Sequence, residues 1–221
     1  MKNSIILFIA IISAISMLAQ DDVAKAKTIL DKVAVKTKSY KTIYAEFKYT
    51  LENQQESITE TNAGKLWAKG NKYKIDVMGV ETYFDGTTIW SYLKDAEEVN
   101  ITEPDESEGE SLNPTSILDN YEKDFKYYYK QEKFESNRAL IIVDLIPRDL
   151  EKEYSRIRLK IDKDKDMIFS IKRFGKDGNM YTITIVNYKT DEEYSDSMFK
   201  FDKTKHPKVE INDLRDRKST R

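Results

Sequence analysis

The 221-residue chain contains no cysteine and a single histidine, His206. Without cysteine there is no disulfide, no thiolate metal ligand, no thiol nucleophile and no acceptor for bacterial lipidation at an N-terminal cysteine. With one histidine, multi-histidine metal centres are excluded as well. A net charge of either sign is also missing, since 37 Lys and Arg face 39 Asp and Glu. Nucleic-acid-binding domains carry a basic excess that replaces phosphate counterions, so this class is excluded. There is no G-x-S-x-G elbow. There is no phosphate loop either, because Gly64–Lys65 is followed by Leu66 rather than Ser or Thr. What remains is chemistry by carboxylates, lysines and hydroxyls, or binding without chemistry. No cofactor and no metal are expected.

Aromatic side chains are plentiful: 14 Tyr, 9 Phe and 2 Trp. They supply enough apolar area for a folded core and argue against disorder. The chain opens with Met1–Lys2, an apolar run from Ile5 to Ile15, and Ser16–Met17–Leu18–Ala19 before Gln20–Asp21–Asp22. These are the three parts of a secretory signal peptide, with cleavage expected after Ala19. The run is short for a membrane span, which needs about 20 apolar residues. Residues 1–19 are therefore read as a signal peptide, and 20–221 as one exported, periplasmic, monomeric domain.

Val23, Ala26, Ile29, Leu30, Val33 and Ala34 recur at helical spacing, which predicts a helix up to Ser39. After Tyr40 the period becomes two. Phe47–Tyr49–Leu51, Leu66–Ala68, Tyr73–Ile75–Val77, Tyr83–Phe84 and Ile89–Trp90 alternate with polar residues and read as strands. Residues 95–110 hold eight acids and no base, which reads as an exposed loop. The ligand order of an EF-hand is absent there. Ile117, Leu118, Tyr121 and Phe125 predict a second helix over 114–129. Strands resume at 139–145, 156–161, 168–174 and 181–188, with Phe199–Phe201 and Val209–Ile211 closing the pattern.

The fold class expected is α+β: a strongly curved antiparallel sheet of roughly ten strands, an unclosed half-barrel, with helices covering its concave face. Such a face suits an apolar ligand. The candidate lining residues are Phe47, Tyr49, Trp67, Tyr73, Ile75, Trp90, Tyr92, Leu118 and Tyr121, although strand parity admits only one face per strand. No catalytic residue stands out. His206 precedes Pro207 in a charged tail and reads as a surface residue. The abundant carboxylates leave a hydrolase as the least favoured reading, since no pair is marked above the rest.

Several segments in order carry a resemblance. They are Ile29–Leu30–Asp31–Lys32–Val33, Tyr44–Ala45–Glu46–Phe47, Gly64–Lys65–Leu66–Trp67 with Lys69 and Tyr73, and 85–92 (Asp-Gly-Thr-Thr-Ile-Trp-Ser-Tyr). Asn113–Pro114–Thr115–Ser116–Ile117–Leu118, Phe199–Lys200–Phe201 and Val209–Glu210–Ile211 complete the set. Together they make the chain resemble the periplasmic outer-membrane lipoprotein carriers (LolA-like). That resemblance implies a hydrophobic cavity for the acyl chains of lipoproteins. It also implies receipt from an inner-membrane ATP-driven lipoprotein exporter and delivery to an outer-membrane acceptor. The alternative on the same fold is a module of the cell envelope that senses lipid or lipoprotein. One departure is plain: where the family has Arg-Pro after its Trp-x-Lys segment, this chain has Gly70–Asn71, so no lid-holding arginine is carried over.

Overall fold

The computed structural model describes residues 2–104 and 114–215, with side chains described for 21–104 and 117–215. Helix α1 (Lys2–Ser39) is followed by β1 (Ile43–Asn53), β2 (Ile58–Lys69), β3 (Lys72–Val77), β4 (Val80–Phe84), β5 (Ile89–Leu93) and β6 (Glu98–Thr102). Two short helices, α2 (Pro114–Asp119) and α3 (Tyr121–Asp124), carry the chain to β7 (Phe125–Glu135). Then come β8 (Arg138–Pro147), β9 (Tyr154–Asp162), β10 (Met167–Gly175), β11 (Asn179–Thr190) and β12 (Glu210–Asp213).

All twelve strands form one curved, unclosed sheet in the order β12-β6-β5-β4-β3-β2-β1-β11-β10-β9-β8-β7. It consists of two antiparallel meanders. The first runs outward from β1 to β6; the second starts at the far edge with β7 and returns to β11, which pairs with β1. Only β12 departs from the pattern, lying parallel to β6. Gly70 takes φ +57° in the two-residue loop between the paired Lys69 and Lys72. A hairpin turn of this kind favours a residue without a Cβ there.

The sheet has twelve strands among the described residues, where roughly ten are expected from the sequence. Three local expectations are corrected. Part of the acidic stretch is strand β6, with Val99 fully buried; alternation of Val99 and Ile101 with polar neighbours outweighs the charge of Glu97 and Glu98. Residues 105–110 of that stretch lie outside the described residues. The helix expected over 114–129 ends at Asp124, because Tyr127–Tyr128–Tyr129 favours a strand, in which alternate rings face the core. Phe199 closes a 3-10 turn (Asp196–Phe199) rather than a strand.

Candidate functional site

The register assigns every strand residue to one of two faces. One transverse row runs Tyr49, Ile183, Ile171, Leu159, Val143, Tyr129 from β1 to β7. A parallel row runs Ala45, Leu66, Ile75, Thr82 from β1 to β4. Both rows lie on the concave face, which bears the helices. The row Tyr44, Trp67, Lys74, Tyr83, Trp90, Ile101 lies on the convex face.

The concave face has two unlike halves. Over β7–β10, Ala26, Leu30, Val33 and Ala34 of α1 pack with Leu118, Tyr121, Ile141, Val143, Leu159 and Ile171 into a closed core. Over β1–β3 and β11 lies a second cluster: Ile43, Ala45, Phe47, Leu66, Ala68, Tyr73, Ile75 and Ile183. Half-buried Tyr40, Tyr49, Val77, Phe84, Ile185 and Tyr188 border it. Among the described residues this second cluster draws on strands and on Tyr40, which follows α1, and on no helix. Its central members are buried, with Phe47 5%, Tyr73 8% and Ile75 4% exposed, and a ligand would reach the cluster through the half-buried side chains at its border. The ring of Phe47 packs over Gly64: a Cβ on that glycine would stand 2.4 Å from two of its carbons.

The helical cover is tied down by polar contacts. The Tyr121 hydroxyl donates to Asp31 at 2.6 Å, and Lys27 donates to Glu122 at 2.6 Å. The Tyr121 hydrogen bond and the Lys27 ammonium hold the Asp31 carboxyl below its usual range. Burial, and then Asp31, push the Tyr121 phenol up. Lys38 and Asp119 pair at 3.2 Å, and Lys25 sits 3.5 Å above the Tyr129 ring. These contacts hold α1 to α2, α3 and β7 without an arginine at 70–71.

Of the sequence candidates, Phe47, Tyr73 and Ile75 lie in the second cluster of the concave face and Tyr49 at its border. Leu118 and Tyr121 belong to the closed half. Trp67, Trp90 and Tyr92 face the other way. There residues 195–209 cross the convex face: Phe201 packs on Tyr83 and Tyr92, and His206 lies 4.4 Å from the Tyr92 ring and 5.1 Å from Phe201. His206 is thus half-buried packing, not a free surface residue. Parity along β1 and β2 alone puts Leu66 beside Ala45; Ile183, Ile185 and Tyr188 needed the β1–β11 pairing, which joins residues far apart in sequence.

Burial, reinforced by Tyr181, raises the Tyr49 phenol, and burial raises Tyr188, so both stay protonated. Arg173 lies 4.7 Å over the Tyr181 ring, which stacks on Tyr49. The buried carboxylates are bound elsewhere: Asp144 accepts two bonds from Arg158 at 2.7 and 2.9 Å, and Asp162 accepts from Arg138 at 2.9 Å. Among the described residues, no cluster of His, Asp and Glu could hold a metal ion. Among them, too, no helix is long and apolar enough to cross a membrane.

The sequence matches the family model described as outer membrane lipoprotein carrier protein LolA over residues 38–202. No curated protein matches it. Among solved structures, an uncharacterized conserved protein from Thermus thermophilus overlays with a TM-score of 0.55 at 12% identity, covering 86% of this chain and 99% of that one. This likeness establishes the fold alone. Lower-scoring overlays include a LolA superfamily protein from Nitrosomonas europaea (TM-score 0.45, 10% identity, 80% and 97% covered) and the Mycobacterium tuberculosis lipoprotein LppX (0.46, 12%, 76% and 98%).

Proposed function

The chain belongs to the LolA family of outer membrane lipoprotein carriers, and from that premise we propose that it is a non-enzymatic periplasmic carrier of acylated lipoproteins. The second cluster of the concave face, with Phe47, Tyr73 and Ile75 and with Tyr49 at its border, takes the acyl chains. The observation that supports this most is the second apolar cluster, which has no helical cover among the described residues while its neighbour is closed by α1. The need for a carrier is physical. Each buried methylene is worth about 0.8 kcal/mol, so a lipid anchor does not cross water unaided. In this reading residues 1–19 direct export, an ATP-driven exporter in the inner membrane loads the carrier, and an acceptor at the outer membrane unloads it.

The test is release. Purified protein is added to inner-membrane vesicles from its own host, with and without ATP, and the soluble fraction is probed for lipoproteins. The reading expects ATP-dependent release into a one-to-one complex. Tyr49→Glu, at the half-buried border of the cluster, should abolish release while circular dichroism stays native, because a carboxylate among apolar groups resists losing its water. Lipoproteins that stay in the membrane at every carrier concentration would overturn the reading.

A further inference from the structure

The sheet is split at one seam. Pairing between β10 and β11 runs from Phe174 opposite Met180 to Ser170 opposite Thr184 and stops there. Beyond that point β10 follows β9, with Met167 opposite Asp162, while β11 follows β1, with Thr190 opposite Ile43. Both strands have an irregularity at the parting. On β10 the register with β9 shifts between Ile168 and Ser170; on β11 the register with β1 skips Val186. Bulges bend strands and open ladders. Between the parted strands lies a cleft of about 240 Å³, lined by Met167, Ile168, Phe169, Ile185, Val186 and Tyr188, with Arg138, Asp162, Lys165 and Asn187 around it.

The cleft reaches both faces of the sheet. Ile168, Ile185 and Tyr188 belong to the concave face, where Ile185 and Tyr188 border the second apolar cluster. Arg138 and Asp162 belong to the convex face. On the concave side Tyr40 spans the gap. Its ring lies 6.2 Å from Tyr188 of β11, and its hydroxyl is 3.9 Å from the sulfur of Met167 of β10. On the convex side Val186 is 57% exposed, an apolar side chain at the rim. The Asp162 carboxylate is already engaged by Arg138 and by the N–H groups of Asp164 and Lys165. Arg138 and Asp162 offset each other, so Lys165 supplies the net positive charge of the lining.

We propose that this seam is a binding cleft for a single acyl chain with an anionic head. The chain lies along Met167, Ile168, Ile185 and Val186, and the head meets Arg138 and Lys165 at the convex mouth. The volume decides the stoichiometry: it would hold about eight waters at ~30 Å³ each, which fits a segment of one chain and not a multiply acylated anchor. The cleft adjoins the second cluster of the concave face through Tyr188, so one chain of a larger cargo can exit there while the others stay on the sheet. This inference rests on the acyl-binding reading above and adds a second, lateral site to it.

The test is photolabelling of the purified full-length protein with a diazirine-bearing fatty acid, followed by peptide mapping. Labels on 167–169 and 185–188 are expected. Oleate affinity should fall about threefold to fivefold in Lys165→Gln, the scale of an exposed ion pair, while methyl oleate binds that variant and the parent alike. Labels confined to Phe47, Tyr49, Tyr73 and Ile75 would overturn the seam and leave the carrier reading standing. No label anywhere would overturn both. Equal loss of oleate and methyl oleate in Lys165→Gln would refute the head-group assignment.

Discussion

Gly64→Ala tests whether Phe47 is packed as described. Gly64 is not among the glycines with a positive φ, so alanine is compatible with its backbone. At such a site Gly→Ala normally stabilises by about 0.4–1 kcal/mol through the unfolded chain. Here the added methyl would meet two ring carbons of Phe47 at 2.4 Å, and Phe47 is only 5% exposed. The ring must move off the sheet, and overpacking of this kind costs about 1–3 kcal/mol. The net expectation is destabilisation by ~0–2.6 kcal/mol, or a fall in Tm of up to roughly 10 °C at 2–4 °C per kcal/mol for a chain of this size. In a Phe47→Leu background the clash is removed, and Gly64→Ala should become neutral or stabilising. Urea unfolding followed by tryptophan fluorescence measures all four proteins, since Trp67 lies on the same strand as Gly64. The reasoning is refuted if Gly64→Ala stabilises the parent as much as it stabilises Phe47→Leu, because the two sites would then be uncoupled.

Leu118→Glu should unfold the protein, because Leu118 is 3% exposed within the closed core; far-UV circular dichroism decides. Arg158→Leu leaves Asp144, 4% exposed, with only Arg156 at 3.6 Å. Breaking a buried pair typically costs ~3–5 kcal/mol, and the remaining arginine should bring the loss toward the lower end; Asp144→Leu added to Arg158→Leu should recover part of it in urea melts. Asp85 is opposed by burial, yet the N–H groups of Thr88 and Thr87, the Thr87 hydroxyl and Lys200 hold its carboxyl down to about 2. Its folded value lies below the unfolded one, so its contribution is present above pH ~4 and is lost as pH falls toward 2. Asp85→Asn should therefore flatten the Tm–pH profile across that window, and an unchanged slope there would count against the assignment.

The opening helix and most strands were legible because each carries a single period: three and four over Val23–Ala34, two over Tyr73–Val77. β6 was hidden because two apolar residues, Val99 and Ile101, are outweighed in composition by the acids around them. β7 was hidden because Ile117, Leu118, Tyr121 and Phe125 fit a helix through the point where the chain turns into a strand. The division of the candidate site was not legible at all. Trp67 sits between Leu66 and Ala68, and sequence alone does not say which of the two parities meets the helices. That decision comes from the β1–β11 pairing, which brings residues 43–53 and 179–190 together. The parting of β10 from β11 is equally non-local, since each strand keeps an ordinary alternation up to its own irregularity.

The central claim, that the second cluster of the concave face holds acyl chains, is tested most directly by native mass spectrometry of the protein purified from a bacterial envelope under detergent-free conditions. The account predicts a bound acyl-bearing species that leaves on delipidation and is restored, one per protein, by a synthetic triacylated lipopeptide, with Tyr49→Glu abolishing the restoration. A protein that is ligand-free as isolated and stays so at saturating lipopeptide would contradict it.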